Sequence, residues 1–494
     1  MEAEEERLIP SVTFRIEPGY TLSQQLNSPE LTNNNILVGK IPASAKTEAI
    51  YLGRIAEYQR NNNVWLDTEG AHAVYVVGKR RSGKTYTLGV IAESLASNKW
   101  IRRGDDKQAI LLLDTMNVFI TMPFRLFEVY AANSVQVKEA KRWGLVDETL
   151  NVILLYPKGT RQPPEGSSRE ITIRPSDLSG DDWASLFGVD TYADPIGQLV
   201  AEVYEKVVLE GYQDLNGAYV GAESNYSVDD FTKCLDNCQE ISRYEAKTIE
   251  AVRRRFKAIR RLPVFSEEGL NMKELFTAGQ ISVLLLRDLD QSIRSLLVAV
   301  IVKKIMQLRS LSDRYYRLSS VQLDRFKMLK SQDDKQKADS AYSKYLEYKQ
   351  KMEEGLPRGW LIIDEAQNYM PTREITPSNE PLRKYVNEGR NLGLSIVVAT
   401  QNPSGLDPSI RRNADILIVH SISMRDDLAA TEGMLNTLAP DSFEFGHESV
   451  SSRVFEQFVR SLPLGYALLS NDMVNRVFVT KIRPRLTIHG GLEY

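Results

Sequence analysis

Residues 76–89 read VVGKRRSGKTYTLG. An apolar run, AVYVV (73–77), leads in, and TYTLGVIAESLASN (85–98) leads out with the pattern of an amphipathic helix. Between them, Gly78-Lys79-Arg80-Arg81-Ser82-Gly83-Lys84-Thr85 fits G-x-x-x-x-G-K-[ST] in a strand–loop–helix frame. The residue types suit a phosphate. Glycines let the loop curl so that successive N–H groups converge, and the following helix brings its positive end. Lys84 would reach the β- and γ-phosphates, and the Thr85 hydroxyl would ligate Mg²⁺. Arg80, Arg81, Ser82 and Tyr86 complete the candidate nucleotide-binding set with Gly78 and Gly83. A merely basic turn would not need that frame.

A phosphate loop calls for an acidic partner. GWLIIDEAQNYMP (359–371) supplies one: an apolar strand ending in Asp364-Glu365. In α/β sheets, ligands sit outside the carboxyl ends of the strands. There Asp364 would hold Mg²⁺ and Glu365 would polarise the attacking water as general base. The plainer alternative is an acidic pair at a helix N-terminus. Asp114 ends a further apolar strand, as a third carboxylate beside the phosphates or as an ordinary loop-start acid. Gln401 ends SIVVATQ (395–401), where an amide can sense the γ-phosphate or the water, or simply cap a turn before Pro403.

The rest of the chain agrees with this class. Short continuous apolar runs recur: AILLLD (109–114), NVILLYP (151–157), ISVLLLRD (281–288), WLIIDE (360–365) and DILIVH (415–420). Such runs, with helical patterns between them, predict a mostly parallel sheet buried on both faces, hence an α/β fold. The boundaries read as a small β-rich, barrel-like N-terminal domain (1–68), a first core segment (69–182), a helical insertion (183–275), a second core segment (276–480) and a closing segment (481–494). The stretch 312–355 is polar and mixed in charge. It reads as a solvated helix, a helical hairpin or a partly disordered arm, serving a partner or only an excursion of the surface.

The 494 residues are 42% hydrophobic and 26% charged, with a formal net charge of −3. Two or three soluble-type domains are expected, and any nucleic-acid contact must come from local basic clusters. RRG (102–104) and RRRFKAIRRL (253–262) are the visible clusters, the second equally a solvated helix face. Two cysteines, Cys234 and Cys238, lack further zinc ligands nearby and read as ordinary helix residues. No apolar run reaches the roughly 18 residues of a membrane span. The acidic start, MEAEEERLIP, differs from a secretion signal, so a cytoplasmic protein is expected.

Taken together, GKRRSGKT, IIDEAQ, EGRNLGLSIVVATQNPSGLDPSIRRNADILIV and KIRPRLTIHGG resemble the HerA family, within the HerA–FtsK class of ring ATPases, over residues 35–494. The resemblance implies a RecA-like core and a homohexameric ring around double-stranded DNA, with ATP between subunits. It assigns Lys84 and Thr85 to phosphate and Mg²⁺, Glu365 to catalysis and Gln401 to sensing. Arg390, foremost among Arg383, Arg390, Arg411 and Arg412, would act on the neighbour's nucleotide, and Arg483 and Arg485 would reach the nucleotide from the closing segment. The sequence departs from the family in a short N-terminal region, in the Lys-Arg-Arg of the loop, and in His72, which stands near a position where relatives often carry arginine. Two functions fit: a DNA translocase or helicase working with a nuclease, or a nucleotide-regulated platform that docks an effector, such as a nuclease or a sirtuin-like NAD-degrading enzyme, in antiphage defence.

Overall fold

The computed structural model describes residues 35–39, 48–56, 63–97, 107–374, 376–435, 443–445, 448–450, 458–471 and 476–491. Thirteen strands form one sheet: β1 (Asn35–Val38), β2 (Ala49–Ile55), β3 (Asn63–Asp67), β4 (Ala73–Val77), β5 (Ala109–Asp114), β6 (Val152–Pro157), β7 (Ser168–Ile171), β8 (Ile281–Leu285), β9 (Gly359–Ile363), β10 (Leu394–Thr400), β11 (Ile416–Val419), β12 (Tyr466–Asn471) and β13 (Arg476–Ile482). Their order is β1-β3-β2-β13-β12-β11-β4-β10-β9-β5-β8-β6-β7. From β11 to β7 every pairing is parallel. This is the expected α/β, RecA-like P-loop fold.

The continuous apolar runs are explained by burial on both faces. Along β4, Val74 and Val76 pack with Leu88, Ile91 and Leu95 of helix α1 (Lys84–Ala96). Tyr75 and Val77 face the opposite core. There the expected insertion forms α2 (Gly180–Phe187), α3 (Pro195–Tyr204), α4 (Val228–Asn237) and α5 (Ala246–Ile259). Trp183 is its hub, with Phe231 and Phe256 each 5.6 Å away edge-on. Cys234 and Cys238 are buried in this layer as free thiols. The arginines of 253–262 are largely ion-paired within the layer: Arg253 with Asp236 at 2.6 Å, Arg254 with Glu250 at 2.9 Å, Arg260 with Asp229 at 3.0 Å. RRG (102–104) lies outside the described residues.

One expectation changes. The strands of 1–68 that are described, β1–β3, are continuous with the core sheet instead of closing a barrel of their own. Gly53 to Ile55 pair with Thr480 to Ile482 of β13, so the sheet runs unbroken from β3 to β4 by way of the C-terminal strands. The charged stretch takes one of its expected forms, a helical hairpin. Helix α6 (Gln291–Ser331) starts in the core, where Leu296 to Val302 are buried, and runs outward. Helix α7 (Lys335–Glu354) returns along it. Beyond Ser312 the pair is held by a thin seam: Tyr315 against Tyr348, Phe326 against Tyr342, and Leu329 among Ala338 and Ala341. No helix among the described residues is long and apolar enough to cross a membrane.

Candidate active site

Register brings the acidic and phosphate-binding motifs to one sheet edge. Val77, the last residue of β4, is level with Thr400 of β10 and Val419 of β11. Ile363 of β9 is level with Val398 of β10 and Leu113 of β5. Gly78, Asp114, Asp364 and Gln401 therefore leave their strands side by side at the carboxyl edge, the place where such sheets hold ligands.

The loop from Gly78 to Gly83 is pinned at both shoulders: Lys79 N–H donates to Ser421 O (2.7 Å) and Gly78 N–H to Thr400 O (3.4 Å). Gly83 has φ 109°, a conformation strained for any side chain, and opens α1. Arg81 also adopts positive φ, 62°. Lys79, Arg80 and Arg81 are exposed, giving the loop a basic rim. Ser82 Oγ and Lys84 Nζ both donate to Lys79 O, at 2.8 and 3.0 Å. Burial lowers the Lys84 ammonium, while Glu365 and Asp364 pull the other way.

Opposite the loop, Thr85 Oγ1 donates to Asp364 Oδ2 at 3.0 Å. Burial first, then the Glu365 charge, pushes the Asp364 carboxyl up to about 7, against the Thr85 hydrogen bond. A hydroxyl and a buried carboxylate converging among further acids make a donor set that suits Mg²⁺: hard oxygen ligands whose mutual repulsion a dication relieves. Glu365 has φ 52°, an uncommon conformation for glutamate that turns its side chain out of strand direction. Its two oxygens accept from Gln401 Nε2 (2.5 Å) and Gln367 Nε2 (2.6 Å), and Gln367 in turn accepts from Thr400 Oγ1 (2.7 Å). A group argued to sense nucleotide is thus bonded directly to the group argued to activate water.

His420 is a site residue that the sequence reading passed over; its signal was a histidine ending the apolar run DILIV. Fully buried, it wedges beneath the loop, and a Cβ on Gly78 would lie 2.7 Å from its own Cβ. Nδ1 donates to Tyr466 O (3.0 Å), which leaves Nε2 to accept from Thr87 Oγ1 (2.9 Å). Burial lowers the ring to about 4, so it is neutral.

Three expected participants sit otherwise, and Asp114 takes the plainer of its two readings, an ordinary loop-start acid. Asp114 is spent on its own turn, accepting from the N–H groups of Met116, Val118 and Phe119; burial raises it to about 6. Tyr86 turns from the loop toward the C-terminal segment, where its hydroxyl accepts from Arg485 N–H (2.8 Å) and its ring meets His489 edge-on. Arg483 and Arg485 do not reach the nucleotide side. Both are buried around Glu93, two turns further along α1, with Arg485 Nε at 2.9 Å and Arg483 Nη1 at 3.3 Å. Glu93 also accepts from Leu486 N–H, Thr487 N–H and Thr487 Oγ1. Burial would raise Glu93, but the two guanidinium groups outweigh it and hold the carboxyl low. This clamp straps residues 483–487 onto the P-loop helix.

Arg390 lies at the amino end of β10, across the sheet from its own P-loop by roughly 20 Å, the rise of a seven-residue strand. Its Nη2 donates to Asp415 Oδ1 (2.9 Å) and to Asn413 O. Arg383 pairs with Asp407 (2.7 Å), and Arg411 and Arg412 lie in the short helix Pro408–Asn413.

The family model "Helicase HerA, central domain" matches residues 50–305, more than half of the chain. The chain belongs to this HerA family. It is accordingly a HerA-type P-loop ATPase. The model "Zonular occludens toxin (Zot)" matches residues 300–429 of this HerA-family chain. Solved structures similar to it include VirB4 of Thermoanaerobacter pseudethanolicus (14% identity, 88% of this chain and 96% of that one, TM-score 0.48). Another is the genome packaging NTPase B204 from Sulfolobus turreted icosahedral virus 2 in complex with ATP-gammaS (11% identity, 84% and 98% covered, TM-score 0.26). A third is EssC (ATPases 2 and 3) from Geobacillus thermodenitrificans (11% identity, 90% and 45% covered, TM-score 0.32). No curated protein matches the chain.

Proposed function

We propose that this HerA-family chain binds Mg²⁺-ATP at the carboxyl edge and hydrolyses it to drive movement on double-stranded DNA, as a homohexameric ring in the cytoplasm. The observation that carries the hydrolytic half is the convergence of Lys84, the Thr85–Asp364 pair and the Gln401–Glu365 pair on one edge. The loop amides and Lys84 bind the phosphates, Arg80 and Arg81 add positive potential at the rim, and Thr85 and Asp364 hold the metal. When bound, Mg²⁺ would neutralise charge developing on the phosphate oxygens. Glu365, oriented by Gln401 and Gln367, holds the attacking water and takes its proton.

Arg390 supports the ring. Lying too far from its own phosphate loop to touch its own nucleotide, Arg390 could meet a γ-phosphate only across a head-to-tail interface between subunits. The DNA half rests on the family. A second reading is favoured by the α6–α7 hairpin, which presents Tyr316, Val321, Met328, Tyr342 and Leu346 to solvent and adds nothing to the site. In that reading the ring is a platform, and the hairpin docks a partner nuclease or other defence effector.

Steady-state ATP hydrolysis with and without linear duplex DNA, beside Lys84→Ala and Glu365→Gln, separates the two. DNA stimulation abolished by both substitutions supports the motor. DNA-indifferent hydrolysis shifts the function to the platform, and absence of hydrolysis sinks the enzymatic reading. Native mass spectrometry tests the hexamer.

A further inference from the structure

At the amino edge of the sheet, a buried histidine stands behind Arg390. His72 is 3% exposed, and both ring nitrogens meet carboxylates: Nε2 lies 3.0 Å from Asp67 Oδ2, and Nδ1 lies 2.7 Å from Asp415 Oδ2. Both positions therefore need a hydrogen, which only the imidazolium supplies. The other oxygen of Asp415 accepts from Ala73 N–H (2.8 Å) and from Arg390 Nη2 (2.9 Å). The ring is enclosed by Trp360, at 6.5 Å between centroids, and by Gly39, where a Cβ would come within 2.8 Å of His72 Cε1. His72 N–H donates to Ser395 Oγ. Asp67 from β3, Asp415 ahead of β11 and, through Asp415, Arg390 ahead of β10 are the charged groups that face the ring.

Two carboxylates, one imidazolium and one guanidinium sum to zero. Without the imidazolium charge the cluster would be net negative, and Asp415 would be left to Arg390 alone. The guanidinium is held at one corner: Nη2 carries both of its bonds, Nε is buried with no partner among the described residues, and the side chain as a whole is 36% exposed. A cation fixed by one nitrogen and partly exposed keeps donors free for a group from outside its own chain.

We propose that His72 is a positioning residue for Arg390: it engages Asp415 so that the carboxylate orients the arginine without neutralising it, leaving a directed positive charge for the γ-phosphate region of the neighbouring subunit. This rests on the ring reading above. The two flanking carboxylates overcome the burial penalty and raise the ring to about 9, so the device is set at neutral pH and lost as pH rises through that value.

The test is ATP hydrolysis by the full chain from pH 7 to 10, for wild type, His72→Gln, His72→Lys, Arg390→Ala and the double variant His72→Gln/Arg390→Ala. Binding of a fluorescent ATP analogue is measured in parallel. His72→Gln is expected to lower kcat about 10-fold or more with KM within about 2-fold, the signature of a contact made in the transition state. It should also remove the alkaline fall near pH 9, while His72→Lys restores part of kcat. The double variant should match Arg390→Ala, because the two act as one unit. Additive losses, or a stability loss with unchanged kcat, overturn the positioning role. If His72→Gln does not fold, the wild-type profile decides: an alkaline fall that persists in Arg390→Ala overturns the proposal. Wild-type kcat in Arg390→Ala fails the trans-arginine reading itself, whatever His72 does.

Discussion

Glu93→Gln isolates the clamp between the P-loop helix and the C-terminal segment. The substitution keeps shape and removes one charge. In the native clamp the Glu93 carboxylate accepts five bonds: from Arg485 Nε, Arg483 Nη1, Thr487 Oγ1 and the amides of Leu486 and Thr487. Glutamine retains one acceptor oxygen and aims an NH₂ at donors. Arg483 and Arg485, both 2% exposed or less, would lose their buried counter-charge. Removing one partner of a buried ion pair costs about 3–5 kcal/mol, because the remaining charge stays desolvated. That is a large share of the about 5–15 kcal/mol available to a folded domain.

Urea unfolding followed by tryptophan fluorescence should show a loss of about 3–5 kcal/mol for Glu93→Gln. Trp65 reports nearby, since Arg483 Nε donates to the carbonyl of Tyr51, whose ring packs on Trp65. The triple variant Glu93→Leu/Arg483→Met/Arg485→Met, which deletes all three charges together, should fall within about 1–2 kcal/mol of wild type. A loss below about 1 kcal/mol for Glu93→Gln, or equal losses for both variants, would refute the assignment of the clamp energy to charge burial.

Gly78→Ala places a Cβ 2.5 Å from Ser82 Oγ and 2.7 Å from His420 Cβ, so isothermal titration should show nucleotide affinity falling by about 10-fold or more, from about 1–3 kcal/mol of overpacking in the loop. Excising residues 313–354 should leave core unfolding and basal ATP hydrolysis within about 2-fold of wild type, because the two retained ends already touch, a Cβ on Gly355 falling 2.1 Å from Ser312 Oγ, and the outer seam is thin. The His72 ring has a raised folded-state value, about 9 against 6.5, so it contributes stability in full below pH 6.5 and loses it as pH climbs to about 9. Denaturation at pH 6.5 and 9.5 should reveal a term of about 3 kcal/mol that His72→Gln lacks.

The core was legible because its signals are local. AVYVV, AILLL, WLII and SIVVAT are buried on both faces, so their apolar character survives in any window, and glycine and lysine spacing fixed the loop. Asp364, Glu365 and Gln401 were found because strand ends in a parallel sheet share one edge. What escaped depends on partners far along the chain. β2 meets β13 across more than 400 residues, so no local pattern could place the N-terminal strands in the core sheet. Arg483 and Arg485 looked like free cations near a terminus, and only the fold reveals the carboxylate of Glu93. Tyr86 follows Thr85 in sequence, yet one helical step of about 100° turns it to another face. His420 read as a strand end, because its role is steric: it fills the space left by two glycines.

The α6 helix reaches from that edge to the solvent. Its 41 residues span about 60 Å. At the inner end, Gln291 donates to Asn368 O and Ser295 Oγ meets Ser378 Oγ at 2.7 Å, both on the segment that follows Glu365. A tilt of about 5° imposed there would sweep the far tip through about 5 Å. The hairpin has the geometry of a pointer with its pivot next to Asp364 and Glu365, so a movement too small to repack the core would be read at its tip as a displacement wider than a side chain.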